Sequence, residues 1–487
     1  MYRFFILGEN KMKRIVSCIA VLAVFLCSNS LFAASPVKPA KYRSSLLNRF
    51  LSYVQVDSQS QYGQFYGDWV MSDDVAKAGE LLYSELQNIL QNNNANATIH
   101  FSQDKYIYVH FPSNLSQRLT ATVPTLGMSA HYDTTPEVPG KGIKPNVIRS
   151  YNGGKVVINE EKGILLDPQT SDAYLNQLIG ETIVTSDGTT ILGADDKAGT
   201  SIVVTVIQTL AENPQIAHGD LQFMLVPSED VGLAAHRVET EYFKPEIYFD
   251  FDGEVNGEIM AESFTAKGFL VTLRGRAAHP SEAAAQNGLE VSEVLGTFLQ
   301  QINQANDLKP NQSEGRDPYI RFAANDIKPG PEAESLILQG YARFFTDEEW
   351  QRMKDLVTAA IAHVNVVYGT KNEVVIDEAS QYKNLADGMH PMTKNIVSKA
   401  AIDAGVTPRF ITVRGGITPG MMNARHGITG MGLWTGQQRV HSEYEWLSEK
   451  DMFSAYHTAL NLIQQTIEQS IAASDNKQQL QRELKRK

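Results

Sequence analysis

Residues 191–230 read ILGADDKAGTSIVVTVIQTLAENPQIAHGDLQFMLVPSED. The middle of this stretch, 198–211, reads as a helix, and its end, 221–226, is a short apolar run of strand length that stops at Pro227-Ser228-Glu229-Asp230. Outward from it the alternation continues. Strand-like runs stand at 106–111, 123–130 and 246–251, and 75–90 has helical spacing, with Ala76, Leu81, Leu82, Leu86 and Leu90 expected on one side. Strands alternating with helices indicate an α/β sheet, in which ligands collect beyond the carboxyl ends of the strands.

Around Lys267 the texture changes. Residues 268–274 alternate like a strand with one solvated face, 335–345 and 373–377 read as strands, and 291–306 and 347–366 read as helices. This predicts an inserted α+β domain over 264–376, which splits a larger domain into 40–263 and 377–472. Residues 473–487 are expected to form a basic, solvated helical tail.

The chain has 487 residues, 43% hydrophobic and 20% charged, which excludes a disordered, collagenous or polytopic membrane protein. Its formal net charge of −12 argues against a surface that tracks nucleic-acid phosphates, and no basic stripe with interleaved aromatics is present. Residues 1–34 stand apart: Lys11, Lys13 and Arg14 precede a mostly apolar run over 15–26, followed by small residues ending in Ala33 and Ala34. Twelve such residues are too few to span a bilayer, which takes about 20. The pattern is that of a secretory signal cleaved near Ala33 or Ala34, with an uncleaved anchor as the alternative and Met12 as an alternative start. Both cysteines, Cys18 and Cys27, fall inside it, so the mature chain is expected to be exported, periplasmic or secreted, free of thiols and without stable membrane association.

Five places put histidine or carboxylate at an expected strand end or in a nearby loop: His131-Tyr-Asp133, Asp195-Asp196, Glu229-Asp230, Asp250-Phe-Asp252 and His441. Alone, each has a bland reading as a hydrogen-bonded structural histidine, a solvated turn or a helix cap. Their coincidence along one sheet edge points to metal. Zinc takes imidazole and carboxylate, the strong ligands left to a chain without cysteine. Two close cations need a carboxylate between them. In His131-x-Asp133 the carboxylate can accept the imidazole N–H and fix its tautomer. Of adjacent Glu229 and Asp230, one can bind metal while its neighbour acts as general base. Neither a G-x-S-x-G elbow nor a Walker-type phosphate loop occurs.

At these residues the sequence resembles the peptidase T family, the tripeptide aminopeptidases of the dizinc exopeptidase group that also holds carboxypeptidases and aminoacylases. The resemblance is carried by His131-Tyr-Asp-Thr134, Ile191–Gly199, Val226-Pro-Ser-Glu-Asp-Val-Gly232, Asp252-Gly253 with Gly257-Glu258, and His441-Ser-Glu-Tyr-Glu445. More specific to the family is Thr135-Pro-Glu-Val-Pro-Gly-Lys141, continuing to Asn146 and Tyr151-Asn-Gly-Gly154. It implies a catalytic domain with a mixed central sheet flanked by helices, interrupted by an α+β lid. It also implies two zinc ions per chain, one held by His131, Asp195 and Asp252 and the other by Asp195, Asp230 and His441. Asp133 would orient His131 and Glu229 would be the general base. Asp250 is the rival to Asp252, but only Asp252 carries the glycine of the family pattern. His279 matches a lid histidine that approaches the scissile carbonyl, and Arg343 and Arg414 match arginines expected near the substrate carboxylate.

The sequence also departs from that pattern. Asp230 stands where a glutamate is usual, one methylene shorter; the lid's Arg-Asp-Phe-Asp becomes Arg343-Phe-Phe-Thr346; and Arg-Gly-Gly-Thr-Asp-Gly becomes Arg414-Gly-Gly-Ile-Thr-Pro-Gly420. The expected activity is removal of the N-terminal residue from short peptides, tripeptides foremost. A carboxypeptidase, a dipeptidase, an N-acyl amino-acid hydrolase and a catalytically silent peptide-binding protein are the alternatives. No residue of the sequence marks the recognition of a free amine.

Overall fold

The computed structural model describes residues 38–63 and 68–484, so the expected export signal lies outside the described residues. Twelve strands build the two main sheets: β1 (Thr98–Phe101), β2 (Ile107–Phe111), β3 (Leu126–His131), β4 (Leu221–Val226), β5 (Ile247–Gly253), β6 (Glu258–Ser263), β7 (Thr265–Arg274), β8 (Tyr319–Pro329), β9 (Ser335–Phe344), β10 (Glu373–Tyr382), β11 (Arg409–Val413) and β12 (Met431–Trp434). Eight of them form one mixed sheet in the order β1-β2-β4-β3-β5-β12-β6-β11. Within it β3, β4, β5 and β12 run parallel, so their carboxyl ends meet on one edge.

The helix expected from 198–211 is α3 (Ala194–Glu212), preceded in the chain by α1 (Arg43–Tyr53) and α2 (Asp73–Asn92). Nearly every residue of α3 is buried, because one side packs on β3 and β5 while α1, α2 and α8 (Glu449–Leu484) cover the other. A helix apolar all round is what such a position requires. On α2 the buried residues are Val75, Ala78, Gly79, Leu82, Leu86 and Leu90, whereas Leu81 is exposed. Leu81 sits one residue from Leu82, about 100° around the helix, and so leaves the apolar stripe on which the sequence placed it.

The other four strands form a second, antiparallel sheet in the order β8-β9-β7-β10, covered by α4 (Val291–Asn303) and α5 (Asp347–Tyr368) around a hydrophobic cluster of its own. Only buried Phe264 separates β6 from β7, so one strand leads directly from sheet to sheet. β10 continues past residue 376 to Tyr382, which pairs with Ala266. Both residues join Val226 and Tyr248 of the first sheet, and Tyr106 just before β2, in a shared apolar seam. Strand β8 had no counterpart in the sequence reading. It is an edge strand with a register shift between Phe322 and Ile327, so its alternation is broken where a strand would be recognised. The C-terminal helix α8 begins at Glu449, so the expected tail from 473 continues an existing helix. No helix of the described residues is long and apolar enough to cross a membrane.

Candidate metal centre

His131 ends β3, Glu229 and Asp230 follow β4, and Asp252 is the penultimate residue of β5, so the parallel strands deliver four of the expected residues to one sheet edge. Asp195 enters from the first turn of α3, where the Asp195–Asp196 peptide is cis. His441 comes from a turn between short strands Gln437–Gln438 and Trp446–Ser448, which belong to a small sheet with Ile183–Thr185 and Asn146–Ile148. Ser228, Arg439 and His441 all have left-handed backbone angles (φ +64°, +57° and +55°), uncommon for side-chain-bearing residues.

Asp195 lies between the two imidazoles. Its Oδ1 is 2.9 Å from His131 Nε2, and its Oδ2 is 3.3 Å from His441 Nε2. His131 Nε2 is also 3.6 Å from Asp252 Oδ1, and His441 Nε2 is 2.8 Å from Asp230 Oδ1. The shorter side chain of Asp230 therefore still reaches its partner. Candidate ligand atoms gather within 4.8 Å of one another in two overlapping groups, His131 with Asp195 and Asp230, and His131 with Glu229 and Asp252.

Each imidazole turns Nε2 to the centre and Nδ1 to a carboxylate behind it. His131 Nδ1 lies 3.3 Å from Asp133 Oδ1, and His441 Nδ1 lies 3.1 Å from Glu137 Oε2. Asp133 also accepts from the Ser60 hydroxyl (2.6 Å) and from the backbone N–H groups of Glu229 (2.9 Å) and Asp230 (3.3 Å). Asp196 accepts from the backbone N–H groups of His131 and Gly199. Glu445 accepts from those of Gly193 (2.7 Å) and Asp195 (2.9 Å), and Gln437 donates to Asp252 Oδ1 at 3.1 Å. The role of Gln437 had no signal in the sequence, and Glu137 and Glu445 were visible only as members of motifs, without a role.

Asp250 and Asp252 are separated by this geometry. Both point to the same face of β5, two residues apart, but Asp250 is bonded to Ser129 within the sheet while Asp252 stands at the strand end.

The electrostatics are those of a cation site. Five carboxylates, Asp133, Asp195, Glu229, Asp230 and Asp252, surround two imidazoles, and among the described residues no lysine or arginine pairs with any of them. Burial and then the negative charge of Asp195 push Asp230 up to about 7 and Asp252 up to about 6. Burial likewise raises Glu229 well above the usual carboxylate range. For Asp195 burial acts the same way but is outweighed by hydrogen bonds from His131 and His441, which hold it below that range. Burial opposes the charge of His441, yet Asp195 and Asp230 raise it to about 12. Buried Asp230 Oδ2 has no hydrogen-bond partner. An acid surplus with an orphaned oxygen fits bound divalent cations.

The centre opens into a cavity of about 670 Å³ whose walls include Glu229, Glu254, Glu258, Tyr382, Arg343 and Arg414. Arg343 and Arg414 are thus brought to the site. His279 is not: it is exposed, and its Nδ1 contacts the Ser281 hydroxyl at 2.7 Å. Thr418-Pro419 of the altered stretch begins helix α7 (Thr418–His426), where a proline in the first turn loses no hydrogen bond. The altered loop is therefore a helix start whose preceding residues, 414–417, line the cavity.

The fold is similar to that of an aminopeptidase from Bacillus cereus (TM-score 0.61, 20% identity, 87% of this chain and 98% of that one). It is also similar to a dinuclear metal-binding peptidase of the M20 family from Bacillus subtilis (TM-score 0.55, 13% identity, 88% and 98%). Mixed sheet, donor set and cleft together define a metallopeptidase. No family model matches the sequence. The sequence is 31% identical over 434 residues to peptidase T of Alkaliphilus oremlandii, covering 86% of this chain and 98% of that protein. It is 28% identical over 427 residues to peptidase T of Bacillus subtilis, covering 87% and 98%. The chain belongs to the peptidase T family.

Proposed function

We propose that the protein is a zinc-dependent aminopeptidase that releases the N-terminal residue of short peptides, tripeptides foremost, after export from the cytoplasm. The observation that carries the metal assignment is Asp195, whose two oxygens face two different imidazoles. His131, Asp195 and Asp252 would hold one ion and Asp195, Asp230 and His441 the other, all imidazole or carboxylate donors of the kind zinc takes. Bound there, the pair supplies positive charge that polarises the scissile carbonyl and acidifies the attacking water.

The remaining work belongs to side chains. Glu229 lines the cavity beside the donors and is buried, a position from which its carboxylate would take the water's proton and pass it to the leaving amine. Asp133 orients His131 and holds the Glu229 backbone, tying donor and base to one carboxylate. Arg343 and Arg414 give the cavity positive charge for a peptide carboxylate. The reading as an exported protein rests on the basic and apolar pattern of residues 11–34.

The test uses chain from Ser35 onward with Ala-Ala-Ala and acetyl-Ala-Ala-Ala, with and without chelator. Chelator-sensitive release of alanine from the free tripeptide alone is expected. Cleavage of the acetylated peptide would replace the aminopeptidase reading with a carboxypeptidase or acylase. Glu229→Ala should keep its metal and lose activity; cleavage at the normal rate would remove Glu229 from the base role.

A further inference from the structure

The cavity has an apolar side that the chemistry of the metal donors does not use. Met260 of β6 pairs with Ile411 of β11, the edge strand of the large sheet. With Val413, Ile417 and buried Leu385 they form a small hydrophobic cluster of their own. Met260, Ile411, Val413 and Ile417 all line the cavity. Gly432 of β12, paired with Met260 from the other side, makes room for this wall. An added Cβ there would stand 2.2 Å from Met260 Cε and 2.9 Å from Ile417 Cδ1, so the ends of both side chains meet over the glycine. Met260 and Ile417 are packed in place at 7% and 9% exposure, while Ile411 and Val413 are half-buried.

This wall adjoins the arginines. Ile417 is the first residue at which the stretch Arg414–Gly420 departs from the family pattern, which has threonine there and an acid next. Its neighbour Gly416 packs against Tyr382, where an added Cβ would stand 2.5 Å from a ring atom. Arg343 lies over the same ring, its guanidinium carbon 4.9 Å from the centroid. Arg414 lies over Phe264 and Tyr319 and donates to the Gly315 carbonyl (2.7 Å) and the Ser313 hydroxyl (2.6 Å). Neither arginine has a carboxylate partner among the described residues. In an amino acid the carboxylate and the side chain leave the same Cα, so a chain end held by these guanidiniums places its last side chain nearby. None of the four wall residues offers a side-chain donor, and the methionine sulfur is only a weak acceptor. A polar side chain would lose water there without replacement, whereas an aliphatic one gains by leaving water.

We propose that the cavity selects peptides whose C-terminal residue is aliphatic, and that Ile417 sets this preference. The inference rests on the aminopeptidase reading, in which the amino end of a tripeptide lies at the metals and its carboxylate at Arg343 and Arg414. The exchange of threonine and an acid for Ile417-Thr-Pro419 is then a change of specificity, and Pro419 fixes the new residue by starting α7 directly after it.

The test uses Ala-Ala-Leu, Ala-Ala-Asn and Leu-Ala-Ala with metal-loaded wild type, Ile417→Thr and, on the edge strand, Ile411→Thr, with metal content and Tm measured for each. Leucine and asparagine are similar in size, so the first two peptides separate polarity from volume. Binding of the same peptides is measured by calorimetry on metal-loaded Glu229→Ala, alone and combined with Ile417→Thr. Wild type should favour Ala-Ala-Leu over Ala-Ala-Asn at least about tenfold in kcat/KM, the scale of burying such a side chain, and Glu229→Ala should show a similar ratio in Kd. Either threonine variant should bring the ratio below about threefold with metal retained. Equal binding of the two peptides to Glu229→Ala, a ratio that neither threonine variant moves, or a loss confined to Leu-Ala-Ala would overturn the assignment. Wild type that releases no N-terminal residue, while Glu229→Ala keeps the binding ratio, would defeat the aminopeptidase reading and leave the apolar wall standing.

Discussion

Asp133 receives Ser60, the Glu229 amide and the Asp230 amide while facing His131, so a single carboxylate sets one imidazole and the loop that carries base and donor. Glu137 has the analogous position behind His441, but its side chain is 54% exposed against 0% for Asp133. Water can replace Glu137 and cannot replace Asp133. Asp133→Asn should therefore lower kcat/KM or metal affinity about 10- to 100-fold, whereas Glu137→Gln should stay within about threefold, as metal titration and kinetics would show. Equal losses would mean that burial does not decide the strength of the second contact. At this scale His131, Asp230 and Asp252 were legible because each follows an apolar run at a strand end, whereas Asp195 and His441 were legible only through their motifs. Asp250 and Asp252 could not be separated by alternation, since residues two apart share a face; position along β5 separates them. Gln437 left no trace, and Glu137 was visible only within a motif, because a supporting hydrogen bond imposes no spacing.

Helix α3 is seated against β5 at Gly199, where an added Cβ would overlap the Phe251 carbonyl and the Asp196 carboxylate. The helix also presents Asp195, so its seating and the metal geometry are one problem. Gly199→Ala should cost about 3 kcal/mol of stability and reduce metal content together. A folded variant with normal Tm and full metal would show that α3 can slide without consequence. The apolar run of α3 was plain in the sequence, as were α4 and α5, because length and spacing suffice for a helix. Strand β8 was not, since a register shift within an edge strand leaves no continuous period. Helix α7 was hidden for a different reason: Pro419 reads as a breaker, while in a first turn it is a starter.

Across the whole molecule, the site draws on residues from 131 to 441 and has more buried acid than the chain itself neutralises. Cations bound only by the folded state should then carry a measurable share of stability. Chelation is expected to lower Tm by about 5 °C or more, reversibly on adding zinc; an unchanged Tm would mean that the acid surplus is tolerated without metal. The division into two sheets was legible as a change of texture near Lys267, but the seam between them was not, because Ala266 and Tyr382 meet only through pairing of β7 with β10. The strand order has a consequence for how the protein is made. β12 is the last strand of the large sheet to leave the ribosome, yet its place is between β5 and β6. A nascent chain must keep that slot open while nearly 170 residues are added after β6, counted from Ser263 to Met431. His441 follows β12, so a chain that stalls before this point has neither a closed sheet nor a complete donor set: the three donors of one ion are already made, and the second ion still lacks its imidazole.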